Sequence, residues 1–198
     1  MYYILMDKRM ITKEERIMKS CAKAISLSGF KKASILDICK GAGVAKGLVY
    51  YYFENKEKLF FETYKFYVEK LKFYMADDFV NITDLFDLVE KSVRDKILFF
   101  KNYPEAKEFL NLAVKSNNKY ILEYNQKSTG DTSAKMFKQV DMTLFKDDVD
   151  ITDILNMVSL IGQALINKVD SDTNVDEIIS EYHTYLSIIK KAVYKENK

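Results

Sequence analysis

Residues 34–58 read SILDICKGAGVAKGLVYYYFENKEK, and the order of caps, apolar positions and glycines in this stretch decides the fold. Ser34 followed by Asp37 predicts an N-cap and its reciprocal partner, and Ile35, Ile38 and Cys39 form an apolar stripe at helical spacing. Gly41 and Gly43 interrupt the stripe, Gly43 being free to take positive φ. Lys46 to Tyr52 then supplies a second short helix with Val49 facing inward. Two short helices around a tight turn make a helix-turn-helix. The second helix turns Lys46, Gly47, Leu48, Tyr50, Tyr51 and Tyr52 to solvent. A donor, an absent side chain and flat rings, in place of an ordinary charged face, suit a DNA groove.

Composition places this stretch in an all-α protein. The 198 residues are 48% hydrophobic and 14% aromatic, with no Trp, six Gly and one Pro, which favours long helices joined by few turns. The net charge of +2 hides an asymmetry: residues 1–58 carry 12 Lys and Arg against 6 Asp and Glu, while the remainder is net −4. A basic end on a mildly acidic body is the layout expected when only that end meets a polyanion. Cys21 and Cys39 fall at inward helical positions and read as small core residues. The first residues, MYYILMDKRM, hold too short an apolar run for a secretory signal. Nor does any run of about 18 uncharged apolar residues suggest a membrane span. The expectation is a cytoplasmic protein.

Thr12 with Glu15 forms a capping box for a first helix, which Gly29 ends. Asn55 caps a long fourth helix reaching about Ala76, with Leu59, Phe60, Tyr64, Tyr67, Leu71, Tyr74 and Met75 inward. Asn81 or Thr83 starts a fifth helix, Pro104 opens a sixth, and a seventh begins near Asn118. The polar run QKSTGDTSA around Gly130 breaks or kinks that seventh helix before Met136, Phe137 and Val140. A charged linker, FKDDVDI, leads into a helix from Ile151 to Val169, with Ile151, Leu155, Val158, Ile161, Leu165 and Val169 as its stripe. The last helix runs from Val175 to about Tyr194. Both final helices are apolar over more than one face, which implies burial against a partner chain.

The run GAGVAKGLVYYYFENKEKLF, within a match from Thr12 to about Phe60, resembles the signature of the TetR/AcrR family of bacterial transcriptional regulators. The resemblance implies a three-helix DNA-binding domain at 12–58 after a tail at 1–11, and a ligand-binding and dimerisation domain at 59–198, about nine helices in all. It makes Lys46 to Tyr52 the recognition helix, with Lys46, Gly47 and Leu48 near base edges and Tyr50, Tyr51 and Lys56 on phosphates. Ser34, Ile35, Ala45 and Tyr52 complete the expected interface. Two residues depart from the family pattern. Ala45 stands where Ser or Thr is common and can neither cap the helix nor donate to a phosphate; Leu48 replaces a small polar residue and offers only apolar contact.

The family's final helices pair about a two-fold axis, which implies a homodimer on a pseudo-palindromic operator. Val158, Ile161, Gly162, Leu165, Ile179, Tyr182, Leu186 and Ile189 would lie in the seam, Gly162 permitting close approach. The family's body encloses a small-molecule effector, for which the candidates are Tyr67, Tyr74, Phe100, Tyr103, Phe109, Tyr120 and Tyr124. The alternative is a regulator or activator without an inducer, controlled by a protein partner, in which these rings are only core. Enzyme patterns do not stand out: the chain has one His, no His-x-x-x-His, no Cys-x-x-Cys, no phosphate-cradling Gly-rich loop and no Gly-x-Ser-x-Gly. Neither cofactor nor metal is expected, and Asp147, Asp148 and Asp150 read as solvated acids near a helix start.

Overall fold

A computed structural model describes residues 11–75, 81–127, 138–170 and 172–196. Among them are nine α-helices: α1 Lys13–Lys32, α2 Ile35–Ala42, α3 Lys46–Phe53, α4 Lys56–Met75, α5 Leu85–Asn102, α6 Pro104–Val114, α7 at 119–127, α8 Ile151–Lys168 and α9 Val175–Val193. A short 3-10 turn spans Met142–Leu144, and Phe145 and Tyr194 form an antiparallel bridge. The expected break in the seventh helix, and Met136 and Phe137 after it, lie outside the described residues. No helix among the described residues is long and apolar enough to cross a membrane.

The chain divides into two compact units. The first runs to Glu69 and takes up Glu105–Tyr124. Aromatic packing is the reason: Phe60 meets Phe30 at 4.9 Å and Phe109 at 5.5 Å, and the Tyr67 hydroxyl donates to Glu105 at 2.9 Å. Thr12 and Glu15 close the capping box of α1. Gly29, at φ 75°, breaks the helical run, and one further turn carries the chain to Ala33, whose N–H donates to the Gly29 carbonyl at 3.0 Å. Ile17, Cys21, Ile25, Ile38, Val49 and Leu59 form the buried centre.

In the second unit α5, α8 and α9 enclose a core of Leu88, Ile97, Val158, Leu165, Tyr182 and Leu186. Asp84, not Asn81 or Thr83, caps α5: its carboxylate accepts from Phe86 N–H at 2.8 Å, while the Thr83 carbonyl is taken by the Asp141 amide. On α8 the burial is rotated from the expected stripe. Ile154, Val158, Gly162, Leu165 and Ile166 are buried, and Ile151, Leu155 and Ile161 are only partly so. A Cβ at Gly162 would lie 2.8 Å from Val93 Cγ2 and 3.3 Å from the Tyr182 hydroxyl oxygen, so this glycine admits neighbours of its own chain. Tyr182 in turn donates to the Val158 carbonyl at 2.9 Å.

Candidate nucleic-acid interface

The local geometry at residues 34–54 follows from a few short-range bonds. Ser34 Oγ accepts from Asp37 N–H at 3.1 Å, and the Asp37 carboxylate accepts in return from the Ser34 amide and hydroxyl, which starts α2. Gly43, at φ 63° and ψ 45°, ends it in the left-handed region, and Val44 N–H donates back to the Cys39 carbonyl at 3.0 Å. Ser20 Oγ donates to the Ile38 carbonyl at 2.8 Å and fastens α2 to α1. Val49 and Phe53 then bury one face of α3. The chain leaves α3 through Glu54, a non-glycine residue at φ 59° whose N–H donates to the Tyr50 carbonyl at 3.1 Å.

With Val49 and Phe53 inward, the rest of α3 faces water. Lys46, Gly47, Tyr50, Tyr51 and Tyr52 are exposed, Tyr51 to 80%, and Leu48 is partly buried. The Lys46 ammonium lies 5.7 Å from the Tyr50 ring centroid, one helical turn on, and the rings of Tyr51 and Tyr52 meet edge to face at 5.3 Å. Ala45 gives α3 no side-chain cap, so the positive end of that helix keeps its first-turn amides without a side-chain acceptor. Together these groups present cationic, phenolic and amide donors on one short surface, as phosphate and base contacts require.

Two expected contact residues are engaged inside the chain. Lys56 donates to the Phe30 carbonyl and sits 4.5 Å from the Phe30 ring centroid, which ties α4 to the end of α1. Ser34 is occupied by its cap, and Ile35 is partly buried beside it. Leu36, 66% exposed, and Lys40 stand on the outer face of α2 without having been singled out from sequence. The signal was the period itself: with Ile38, Cys39 and Ala42 inward, position 36 falls on the opposite side of the helix.

The effector candidates divide between the units. Tyr67 and Phe109 are fully buried in the first, where Tyr120 and Tyr124 pack on Phe61 at 5.7 and 6.1 Å. Tyr74, Phe100 and Tyr103 belong to the second and gather around Phe99. Of the seam candidates, Val158, Gly162, Leu165, Ile179, Tyr182 and Leu186 are buried within the chain itself, and Ile161 and Ile189 partly so. The large apolar residues left in water on the same two helices are Met157, Leu160, Tyr185 and Ile188, with Leu160 at 73% and Ile188 at 63% exposure. Cys21 and Cys39 are buried, and burial pushes the Cys21 thiol up to about 12, which leaves little thiolate for redox sensing.

Residues 17–63 match the family of bacterial regulatory proteins called tetR, which covers α1 to the first turns of α4. The chain is similar to YerO, an uncharacterized HTH-type transcriptional regulator of Bacillus subtilis (strain 168), at 25% identity over 179 residues, which is 83% of this chain and 59% of that protein. It is 44% identical over 54 residues to YvdT, another regulator of that type and organism, covering 27% of this chain and 28% of that one. The chain thus spans at most about three fifths of these relatives. Among solved structures, a ketosteroid transcriptional regulator of Mycobacterium tuberculosis superposes with a TM-score of 0.69 at 15% identity, over 95% of this chain and 98% of that one. A fatty acid degradation regulator of Bacillus halodurans gives 0.63 at 19%, over 87% and 96%. These two likenesses are of fold.

Proposed function

We propose, from the match of residues 17–63 to the tetR family of bacterial regulatory proteins, that the chain is a transcriptional regulator of that family and a dimeric repressor, released from a pseudo-palindromic operator when a small molecule binds its helical body. The observation that carries the reading is the outer face of α3. Lys46 and the exposed Tyr50 and Tyr51 stand beside a helix start without a side-chain cap. A phosphate at that start replaces the missing cap and is favoured by the dipole. The phenols donate to neighbouring phosphates, and Lys46 with Leu48 meets base edges.

Two reading heads need a partner chain. Met157 and Leu160 on α8 and Tyr185 and Ile188 on α9 supply exposed apolar surface for it. The long helix α4 contributes its first turns to the DNA-binding unit and its last to the second unit. A shift of α4 on effector binding changes the spacing of the two recognition helices, and a coupling of about 1–3 kcal/mol suffices to regulate.

The test is a gel-shift titration of the full-length protein on DNA upstream of its own gene, with excess random duplex and varied salt. Saturable binding that survives competitor, requires two half-sites and weakens about tenfold or more in Lys46→Ala is the expected result. Equal affinity for operator and random duplex would sink the reading.

A further inference from the structure

Among the cations of α5, Lys96 differs from its neighbours. Lys91 pairs with Asp95 at 2.9 Å, Arg94 with Asp176 at 3.0 Å, and Lys101 donates to the Thr173 carbonyl at 3.0 Å. Lys96 has no hydrogen bond or ion pair with any described residue, and it is partly buried. Burial holds its ammonium below the ordinary lysine value. A cation withdrawn from water without a counter-charge costs stability, and that cost is recovered when an anion binds beside it.

The space beside Lys96 is a cavity of about 310 Å³ in the second unit, at the small end of ligand-site volumes. Leu88 on α5 and Leu155 and Ile166 on α8 give it apolar walls, and Ser92, Ser159 and Gln163 add a few polar groups. Leu155, Ser159 and Gln163 follow one another at four-residue steps along one flank of α8. Met157, Leu160 and Ala164 lie on the other flank, exposed, so a ligand in the cavity leaves the apolar surface available to a partner chain.

We propose that this cavity is the effector site and that it takes an amphipathic monoanion, a carboxylate on an apolar body, with Lys96 as its counter-charge. Ser92 and Ser159 have O–H donors for the carboxylate oxygens, Gln163 has the Nε2 hydrogen that it does not give to Asn167 Oδ1, and the leucine and isoleucine walls take the apolar part. This assignment rests on the effector-controlled reading above and supplies the chemical class of the effector.

The experiment uses the full-length protein without DNA, so that it stands apart from operator binding. Octanoate, decanoate and 1-naphthoate are titrated by calorimetry and by thermal melting, with octanol and octylamine as neutral and cationic counterparts of octanoate. The expected result is that the carboxylates bind and raise the melting temperature, octanol binds at least about tenfold more weakly, and octylamine does not bind. Lys96→Met should weaken carboxylate binding at least about tenfold while the empty variant melts at the same or a higher temperature, because an uncompensated cation has been removed. Lys101→Met, which removes a cation of the same helix away from the cavity, should leave carboxylate binding unchanged. If Lys96→Met does not fold, Lys96→Gln replaces it.

Failure of all three carboxylates to bind, equal affinity for octanol, undiminished binding by Lys96→Met, or a lower melting temperature of that empty variant overturns the proposal. Operator binding with no carboxylate binding removes this inference alone. Carboxylate binding through Lys96 without operator binding removes the regulatory reading and leaves the site.

Discussion

Gly47 lies in the first turn of α3 with open space where a Cβ would point, and no positive φ reserves the position for glycine. Alanine there lowers the entropy of the unfolded chain and should raise stability by about 0.5–1 kcal/mol in denaturant titration. The same methyl group stands between the helix and a DNA groove, so operator affinity should fall in the same variant. Gly43 is the contrasting case: at φ 63° it needs glycine, and Gly43→Ala should cost about 1–2 kcal/mol. Cys21 makes a pH prediction. Its folded pKa is raised from 9.0 to about 12, chiefly by burial, with Thr63 and Lys56 pulling weakly the other way. The thiol's contribution to stability is therefore fully present below about pH 9 and is lost as pH rises toward 12. Cys21→Ala should flatten the alkaline limb of the stability profile, and the native thiol should resist iodoacetamide at pH 8.

At the scale of elements, Gly162 governs how closely α8 approaches α5 and α9. Gly162→Ala places a methyl 2.8 Å from Val93 Cγ2, and the strain should cost about 1–3 kcal/mol in thermal or chemical unfolding. Val93→Ala, which removes the opposing methyl groups, should recover part of the loss in the double variant. The elements themselves were legible where their determinants are local. The two capping boxes, the Asn55 cap, the Pro104 start and the left-handed Gly43 are written within four residues of where they act. The orientation of α8 was not. A helix with Leu160, Ile161, Leu165 and Ile166 spread around it has no single apolar phase, and Val93 and Tyr182, which select the buried side, come from other helices. The bond of Lys56 inside the chain was not legible for the same reason. Its partner, the Phe30 carbonyl, is 26 residues away, and nothing local distinguishes a lysine that holds two helices together from one that meets phosphate.

For the whole molecule, the question is what covers Met157, Leu160, Tyr185 and Ile188. Sequence places the seam candidates on α8 and α9, and of these Val158, Leu165, Tyr182 and Leu186 are taken up by the chain's own core. Leu160→Glu separates the two roles. Leu160 is 73% exposed in the single chain, so a carboxylate there should leave the fold of one chain intact. In a dimer built on this face the same carboxylate is buried against apolar side chains without a partner charge. Sedimentation should then show a monomer at concentrations where the parent chain is a dimer, with an unchanged helical circular dichroism spectrum. Operator affinity should fall steeply, since one head retains only one half-site's contacts, and the slope of log affinity against log salt should drop to about half as half the phosphates are released. A dimeric Leu160→Glu protein with parental salt dependence would place the partner contact on another surface.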